Sequence, residues 1–301
     1  MATPKRSSRK RWVHFGDSFT RVSKVAPALG ELTGYMHLDA SVPGDNSLTA
    51  AIRSGSIGLK GEVLGGKIPS SGDIEVLNFA PHGYKMLEQW DYNAEILGVR
   101  GILILRSTDG KVHFERNRPG HEVDAPGASE IILDPTHEQQ HLGQGFHTNS
   151  SIVFAIGRND LDTQQEVGGL VDHIRVMIDK HPAEQVEFVV TEIPPWQNEK
   201  IGTPEREKLD AWNNRLKEEF GDRYIEPVQW VLKHLEKSLS LADKRMTRLD
   251  RPSVESGVIP VSLKEDERGH FSIDGGKHGP WECTKSSNAC TWCDARSQLA
   301  E

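Results

Sequence analysis

The sequence predicts an α/β protein, a parallel sheet flanked by helices and interrupted by a β-rich insertion. Three observations carry that prediction. Strand-like and helix-like runs alternate at the start of the chain, a long tract of short β-type runs follows, and the alternation resumes after residue 150. Repeated β-loop-α is the rhythm of a parallel sheet, whereas short runs separated by Gly, Pro, Asn and Asp turns mark an all-β unit.

Arg11 to Thr20 reads as a buried strand that delivers a serine onto a tight turn. Trp12, Val13 and Phe15 supply its aromatic and β-branched content, and Gly16-Asp17-Ser18 ends it. Val22 to Leu32 is helix-forming, with apolar Val25, Leu29 and Leu32 and a start limited by Pro27. Tyr35 to Ala40 is a second short strand. The loop after it, Ser41-Val-Pro-Gly-Asp-Asn-Ser47, holds Gly44 and offers Ser47 as N-cap for a helix from Leu48 to Arg53.

From Ile57 to Asn149 the runs are short: Glu62 to Leu64, Asp73 to Leu77, Gly101 to Leu105, Lys111 to Phe114 and Glu130 to Leu133. Asp109-Gly110 between two of them is a hairpin signal. Ser151 to Ile156 is then an apolar, buried-type strand that leads into Gly157-Arg-Asn-Asp160. Thr163 to Lys180 is an amphipathic helix whose Val167, Leu170, Val171, Ile174, Met177 and Ile178 form one stripe. Val186 to Thr191 is the next strand, and Pro204 to Phe220 a helix with proline in its first turn and Gly221 as its stop. Arg223 to Ile225 reads as a last short strand, Val228 to Leu241 as helix, and Leu249 to Pro260 as a polar linker.

The expected organisation is a basic arm over 1–10, an α/β domain over 11–56 and 150–280, a β-rich insertion over 57–149 and a C-terminal extension over 281–301. Acidic residues outnumber basic ones, 44 to 36, for a formal charge of −8, which argues against a surface built to hold nucleic-acid phosphates. The exception is local. Lys5, Arg6, Arg9, Lys10 and Arg11 form a basic arm that reads as a solvated tail, and without an apolar run behind it the arm is not read as a secretory signal. No window is apolar enough for a membrane span, so a soluble protein is expected, with neither nucleic acid nor membrane as partner.

Four loops in order now hold Ser18, Gly44, Asn159 and Glu267-Arg-Gly-His270. Gly16-Asp17-Ser18, the glycine of Val42-Pro-Gly-Asp-Asn46, Gly157-Arg-Asn159-Asp160 and an acid three residues before a histidine resemble the blocks of the SGNH hydrolase superfamily, the GDSL esterases and lipases. The resemblance covers most of the chain outside the tail, and Gly-x-Asn-Asp after an apolar strand is its most specific piece. It implies a flavodoxin-like α/β/α sandwich and a serine esterase that uses neither cofactor nor metal. Ser18 would be nucleophile, His270 general base and then acid, and Glu267 or Asp266 the carboxylate that orients it. The backbone N–H groups of Ser18 and Gly44 and the side-chain amide of Asn159 would form the oxyanion hole. The chemistry wants these types: a serine hydroxyl is a poor nucleophile until a histidine takes its proton, and a carboxylate fixes that histidine's tautomer.

The histidine block departs from the family pattern. The acid at minus three is Glu267 where the family has aspartate, Asp266 competes with it, and Asp274 with His278 forms a second pair spaced one residue too far. Three cysteines, Cys283, Cys290 and Cys293, lie in the last twenty residues. A zinc knuckle with His278, a disulfide and unlinked thiols all remain open.

The insertion also resembles part of the family. A subset carries a β-rich insertion between the second and third blocks, with phrases like Gly66-Lys-Ile-Pro-Ser-Ser-Gly72, and some of that subset look phage tail-associated or polysaccharide-directed. That implies an insertion overhanging the cleft, an acylated glycan or small ester as substrate, and a cytoplasmic or virion-associated protein. Trp90, Tyr92, His113, Phe114 and His121 are candidate sugar-stacking or cleft-lining groups, although core packing explains such aromatics equally well. The expected reaction is hydrolysis of a short acyl or acetyl ester through an acyl-serine. The rival readings are a lipase or thioesterase, and a non-catalytic glycan-binding or phage structural protein on the same scaffold.

Overall fold

The computed structural model describes residues 10–81, 91–106, 108–133, 149–163, 166–181 and 186–264. The chain opens with β1 (Arg11–Gly16), α1 (Ser18–Val22), α2 (Val25–Thr33) and β2 (Met36–Asp39). After α3 (Ser47–Arg53) come β3 (Leu59–Val63), β4 (Lys67–Ile68), β5 (Asp73–Ala80), β6 (Tyr92–Ile96), β7 (Val99–Arg106), β8 (Lys111–Arg116), β9 (Val123–Asp124) and β10 (Ala128–Leu133). Alternation returns with β11 (Ser151–Ala155), α4 (Arg158–Asp162), α5 (Val167–Asp179), β12 (Phe188–Thr191), α6 (Pro204–Phe220) and β13 (Tyr224–Ile225). Three helices follow: α7 (Pro227–Lys233), α8 (Leu235–Leu241) and α9 (Asp250–Glu255).

Two compact units divide the chain. One takes the described residues between 10 and 45, 149 and 171, and 186 and 264; the other takes those between 46 and 133 and between 172 and 181. The first unit holds a five-stranded sheet in the order β13-β12-β11-β1-β2, parallel at every pairing. Counted in chain order these strands lie 2-1-3-4-5, the flavodoxin-like doubly wound order.

Alternation along the strands assigns the two faces of the sheet. Phe15 and Phe154 pair across β1 and β11 with ring centroids 6.4 Å apart, and Phe188 links Phe154 to Phe220 of α6 by edge contacts. Val153 and Ala155 face the other way, into a layer where Phe19, Val25 and Leu29 of α1 and α2 pack with Val228, Val231 and Leu239 of α7 and α8. Helices therefore cover both faces, which makes an α/β/α sandwich.

The second unit contains a closed six-stranded barrel, β10-β3-β5-β8-β7-β6, and a small β4-β9 ribbon. Every barrel pairing is antiparallel. Closure removes the exposed edges that a lone meander would leave. Its interior is apolar, built on Leu59, Val76, Ile96, Leu103, Phe114 and Ile131, with Leu48 and Ile52 of α3 added.

Local details depart from expectation where a side chain overrides propensity. The segment from Val22 to Leu32 belongs to two helices, because Lys24 sits at φ 45° between them. Asn46, not Ser47, caps α3, its side-chain oxygen accepting from the Thr49 N–H at 2.9 Å. The helix expected over 228–241 breaks at His234, φ −120°, ψ 44°, whose ring bonds the Trp230 carbonyl at 2.9 Å. The expected polar linker holds α9, because buried Asp250 gathers the backbone N–H groups of Thr247 and Ser262 and both of their hydroxyls.

Candidate active site

The strand order reverses at β1, which has β2 on one side and β11 on the other. Gly16 is level with Ala155, and His14 with Asp39, so three strands run out at one edge. Open α/β sheets bind ligands outside the carboxyl ends of their strands at such a switch point. Ser18, Gly44 and Asn159 all lie in segments that leave this edge.

Ser18 is held by its neighbours. A Cβ on Gly16 would lie 2.3 Å from Thr20 Oγ1, so glycine is what lets α1 turn back tightly on the end of β1. Thr20 Oγ1 in turn donates to the Ala155 carbonyl at 3.4 Å. Asp17 is the N-cap of α1 and accepts from the Phe19 N–H at 2.9 Å. Burial pushes the Asp17 carboxyl up to about 7, against the pull of the Phe19 N–H and the nearby Arg158 guanidinium. Ser18 itself is half-buried at the first position of α1.

Gly44 is joined to the same edge from the other side. Val42 N–H donates to the Gly16 carbonyl at 3.0 Å, and Asp45 N–H closes a turn on the Val42 carbonyl. At φ 84° Gly44 is in the region that favours glycine, and its N–H has no hydrogen-bond partner among the described residues. Asn159 reaches across from the first turn of α4, which follows β11, and donates Nδ2–H to the Asp45 carbonyl at 2.7 Å. A carboxamide carries two N–H bonds, so this contact fixes the side chain and leaves one donor.

Arg158, the second residue of Gly157-Arg-Asn-Asp160, is the cross-tie of the edge. It is 1 % exposed. Its guanidinium makes a two-pronged pair with Glu199 at 2.8 and 2.9 Å, reaches Asp162 at 2.5 Å and the Pro194 carbonyl at 3.2 Å, and lies 5.0 Å from the Trp196 ring centroid. Trp196 packs on Phe19, the residue after Ser18, at 5.3 Å. Glu199 stands 41 positions away in sequence, so no local spacing reveals the pair.

Behind the serine turn, Phe19, Thr20, Val25, Val153, Ala155 and Val228 line a small pocket of about 50 Å³. Glu192 also borders it; burial pushes its carboxyl up to about 8, although the N–H groups of Val228 and Gln229 donate to it.

His270, Glu267 and Asp266 lie outside the described residues, as do His278, Asp274, the three cysteines, Trp90 and Lys5, Arg6 and Arg9. A serine–histidine hydrogen bond does occur in the described part, Ser47 to His173 at 2.8 Å, but Ser47 has no exposed surface and presents no nucleophile. Of the barrel candidates, Tyr92 and Phe114 are core side chains, 3 % and 0 % exposed. His113 bonds Asp73 at 2.8 Å and Asp109 at 3.3 Å, and His121 is exposed. Packing, not stacking on a ligand, accounts for the two buried aromatics. No helix among the described residues is long and apolar enough to cross a membrane.

No protein-family model matches the chain, and no curated protein matches it. Solved structures similar to it include a GDSL-like lipase from Bacteroides thetaiotaomicron, at 9 % identity and TM-score 0.43 over 90 % of this chain and 84 % of that one. A G-D-S-L family lipolytic protein from Desulfitobacterium hafniense is similar at 9 % identity and TM-score 0.41 over 88 % and 92 %. A psychrotrophic esterase from Pseudoalteromonas is similar at 10 % identity and TM-score 0.35 over 82 % and 93 %.

Proposed function

We propose that the chain is a serine esterase of the SGNH type that hydrolyses short acyl esters, with an acylated carbohydrate as the natural substrate class. The observation that supports the reading is that Ser18, Gly44 and Asn159 all lie in segments that follow strand ends at the switch point, with Asn159 tied to Asp45 at 2.7 Å. In this reading Ser18 Oγ attacks the ester carbonyl as His270 takes its proton, and Glu267 or Asp266 orients that histidine. The N–H groups of Ser18 and Gly44 and the remaining N–H of Asn159 receive the oxyanion. His270 then protonates the leaving alcohol, and water, deprotonated by the same imidazole, releases the acid and regenerates Ser18.

The short-acyl half of the proposal rests on the family resemblance alone. The carbohydrate half of the proposal rests on the resemblance of the insertion. Hydrolysis of p-nitrophenyl esters of rising chain length, beside acetylated oligosaccharides, tests both halves: turnover should peak at the shortest acyl group, and a maximum at long chains would make the protein a lipase.

A further inference from the structure

The barrel carries a cationic cleft that the esterase reading does not use. One wall is the turn between β6 and β7, where Leu97 and Gly98 adopt φ 50° and 78° and lead into Val99 and Arg100. The other is the chain leaving β8, Arg116-Asn117-Arg118-Pro119. Together they border an open cleft of about 470 Å³, a volume in the range of small-molecule sites. Three arginines and an asparagine line it, and no carboxylate of the described residues does.

The walls are built rather than loose. Gly101 on β7 pairs with Arg116, and Asn117 N–H donates to the Arg100 carbonyl at 3.0 Å. Gly120 N–H bonds the Ser70 carbonyl at 2.8 Å. The Arg116 guanidinium is oriented by backbone oxygens alone: Nε donates to the Arg118 carbonyl at 3.1 Å, and one terminal nitrogen to the Pro69 and His121 carbonyls at 2.7 and 2.9 Å. Its other terminal nitrogen lies where a Cβ on Gly120 would stand, 2.5 Å away, so glycine makes room for it.

Carbonyl dipoles hold that cation in place without neutralising it. Arg116 and Arg118 make no ion pair with any described residue, and Arg100 makes a single exposed contact with Glu95 at 3.3 Å. Three of the five Arg116 N–H bonds are taken by those carbonyls, so Arg116 lends its charge, while the terminal nitrogens of Arg100 and the exposed Arg118 guanidinium offer planar forks for a carboxylate, and the Asn117 amide supplies a donor and an acceptor for a hydroxyl.

We propose that this cleft binds a carboxylate-bearing, hydroxyl-rich ligand of the sugar-acid class. The cations form a cup instead of a stripe, and the chain's net charge of −8 disfavours an extended polyphosphate. The proposal stands independently of the esterase reading.

Calorimetric titration of the full chain at low salt tests it, with trigalacturonate, neutral maltotriose, inorganic phosphate and an oligothymidylate as probes. Trigalacturonate should bind, maltotriose should not, and Arg100→Ala combined with Arg118→Ala should weaken binding by roughly tenfold or more. Both positions are exposed, and an unchanged circular dichroism spectrum confirms that the double variant folds. Ser18→Ala should bind as the wild type does, which separates this site from the hydrolytic one. Absence of trigalacturonate binding, equal binding by the double variant, or phosphate or oligothymidylate binding as tight as trigalacturonate would each overturn the proposal.

Discussion

The two units bury different things. Along its eight strands the barrel unit buries one polar side chain, Ser129, among the described residues; Arg53 and His181 are buried off those strands, and strand charges sit outside in pairs such as Lys67 with Glu122 and Lys111 with Glu75. The parallel-sheet unit buries His14, Asp17, Asp45, Arg158, Asp160, Glu192 and Glu199. Buried ionisable groups are expensive unless partnered, so a fold that keeps them at one sheet edge is holding polar loops in fixed positions there. The barrel needs no such outlay: closure and an apolar filling are enough for its stability. One unit fixes polar groups among its loops, and the other fills a closed barrel with apolar side chains.

Arg158 is the sharpest point at which to break this contrast. Arg158→Leu leaves Glu199, whose side chain is 6 % exposed, without its cation. Removing one partner of such a buried pair costs about 3–5 kcal/mol, and chemical denaturation should show a loss of that size. Asn159 comes next. If Asn159 is the oxyanion donor proposed above, Asn159→Ala should lower kcat by about 10²–10³. Its stability should fall by only about 1 kcal/mol for the bond to Asp45.

The buried titratable groups predict opposing pH effects. His14 is held well below its usual range by burial and by neighbouring His37, and burial lowers His37 to about 4. His14 Nε2 and His37 Nδ1 lie 2.8 Å apart, with the other His37 nitrogen 3.1 Å from Thr33 Oγ1. A histidine with a depressed folded pKa keeps its stability above the unfolded value near 6.5 and loses it as pH falls toward the folded value near 4. Glu192 works the other way: with its folded pKa raised to about 8, stability present below about 4.5 is lost as pH rises to 8. Urea titrations should therefore show His37→Gln losing less stability than the wild type between pH 7 and 4, and Glu192→Gln losing less between pH 5 and 8. The smallest effect belongs to the barrel surface. Lys67→Ala removes a fully exposed pair with Glu122 and should leave the thermal midpoint unchanged.

The fold was legible because its signals are local. Apolar β1 and β11, their Gly-Asp-Ser and Gly-Arg-Asn-Asp exits, and the short turn-punctuated runs of the insertion all declare themselves within ten residues. Closure of the barrel was not, since pairing β10 with both β3 and β6 depends on register across distant segments. Ser18, Gly44 and Asn159 could be named as candidates from residue type and order; the contacts that hold their segments could not. Glu199 meets Arg158, Asn213 clamps both the N–H and the carbonyl of Ile193, and His14 meets His37 only after the chain has folded. The Asp250 network that caps α9 is likewise tertiary, which is why its segment read as linker.

The most direct measurement is turnover of p-nitrophenyl acetate by the wild type and Ser18→Ala, with thermal unfolding of both recorded in parallel. Wild-type hydrolysis that falls by at least about 10³ in Ser18→Ala, at an unchanged midpoint, is the predicted result. Equal turnover by the two proteins, or no turnover of this or any acetylated oligosaccharide by the wild type, would contradict the assignment of Ser18 as the nucleophile at the sheet's switch point.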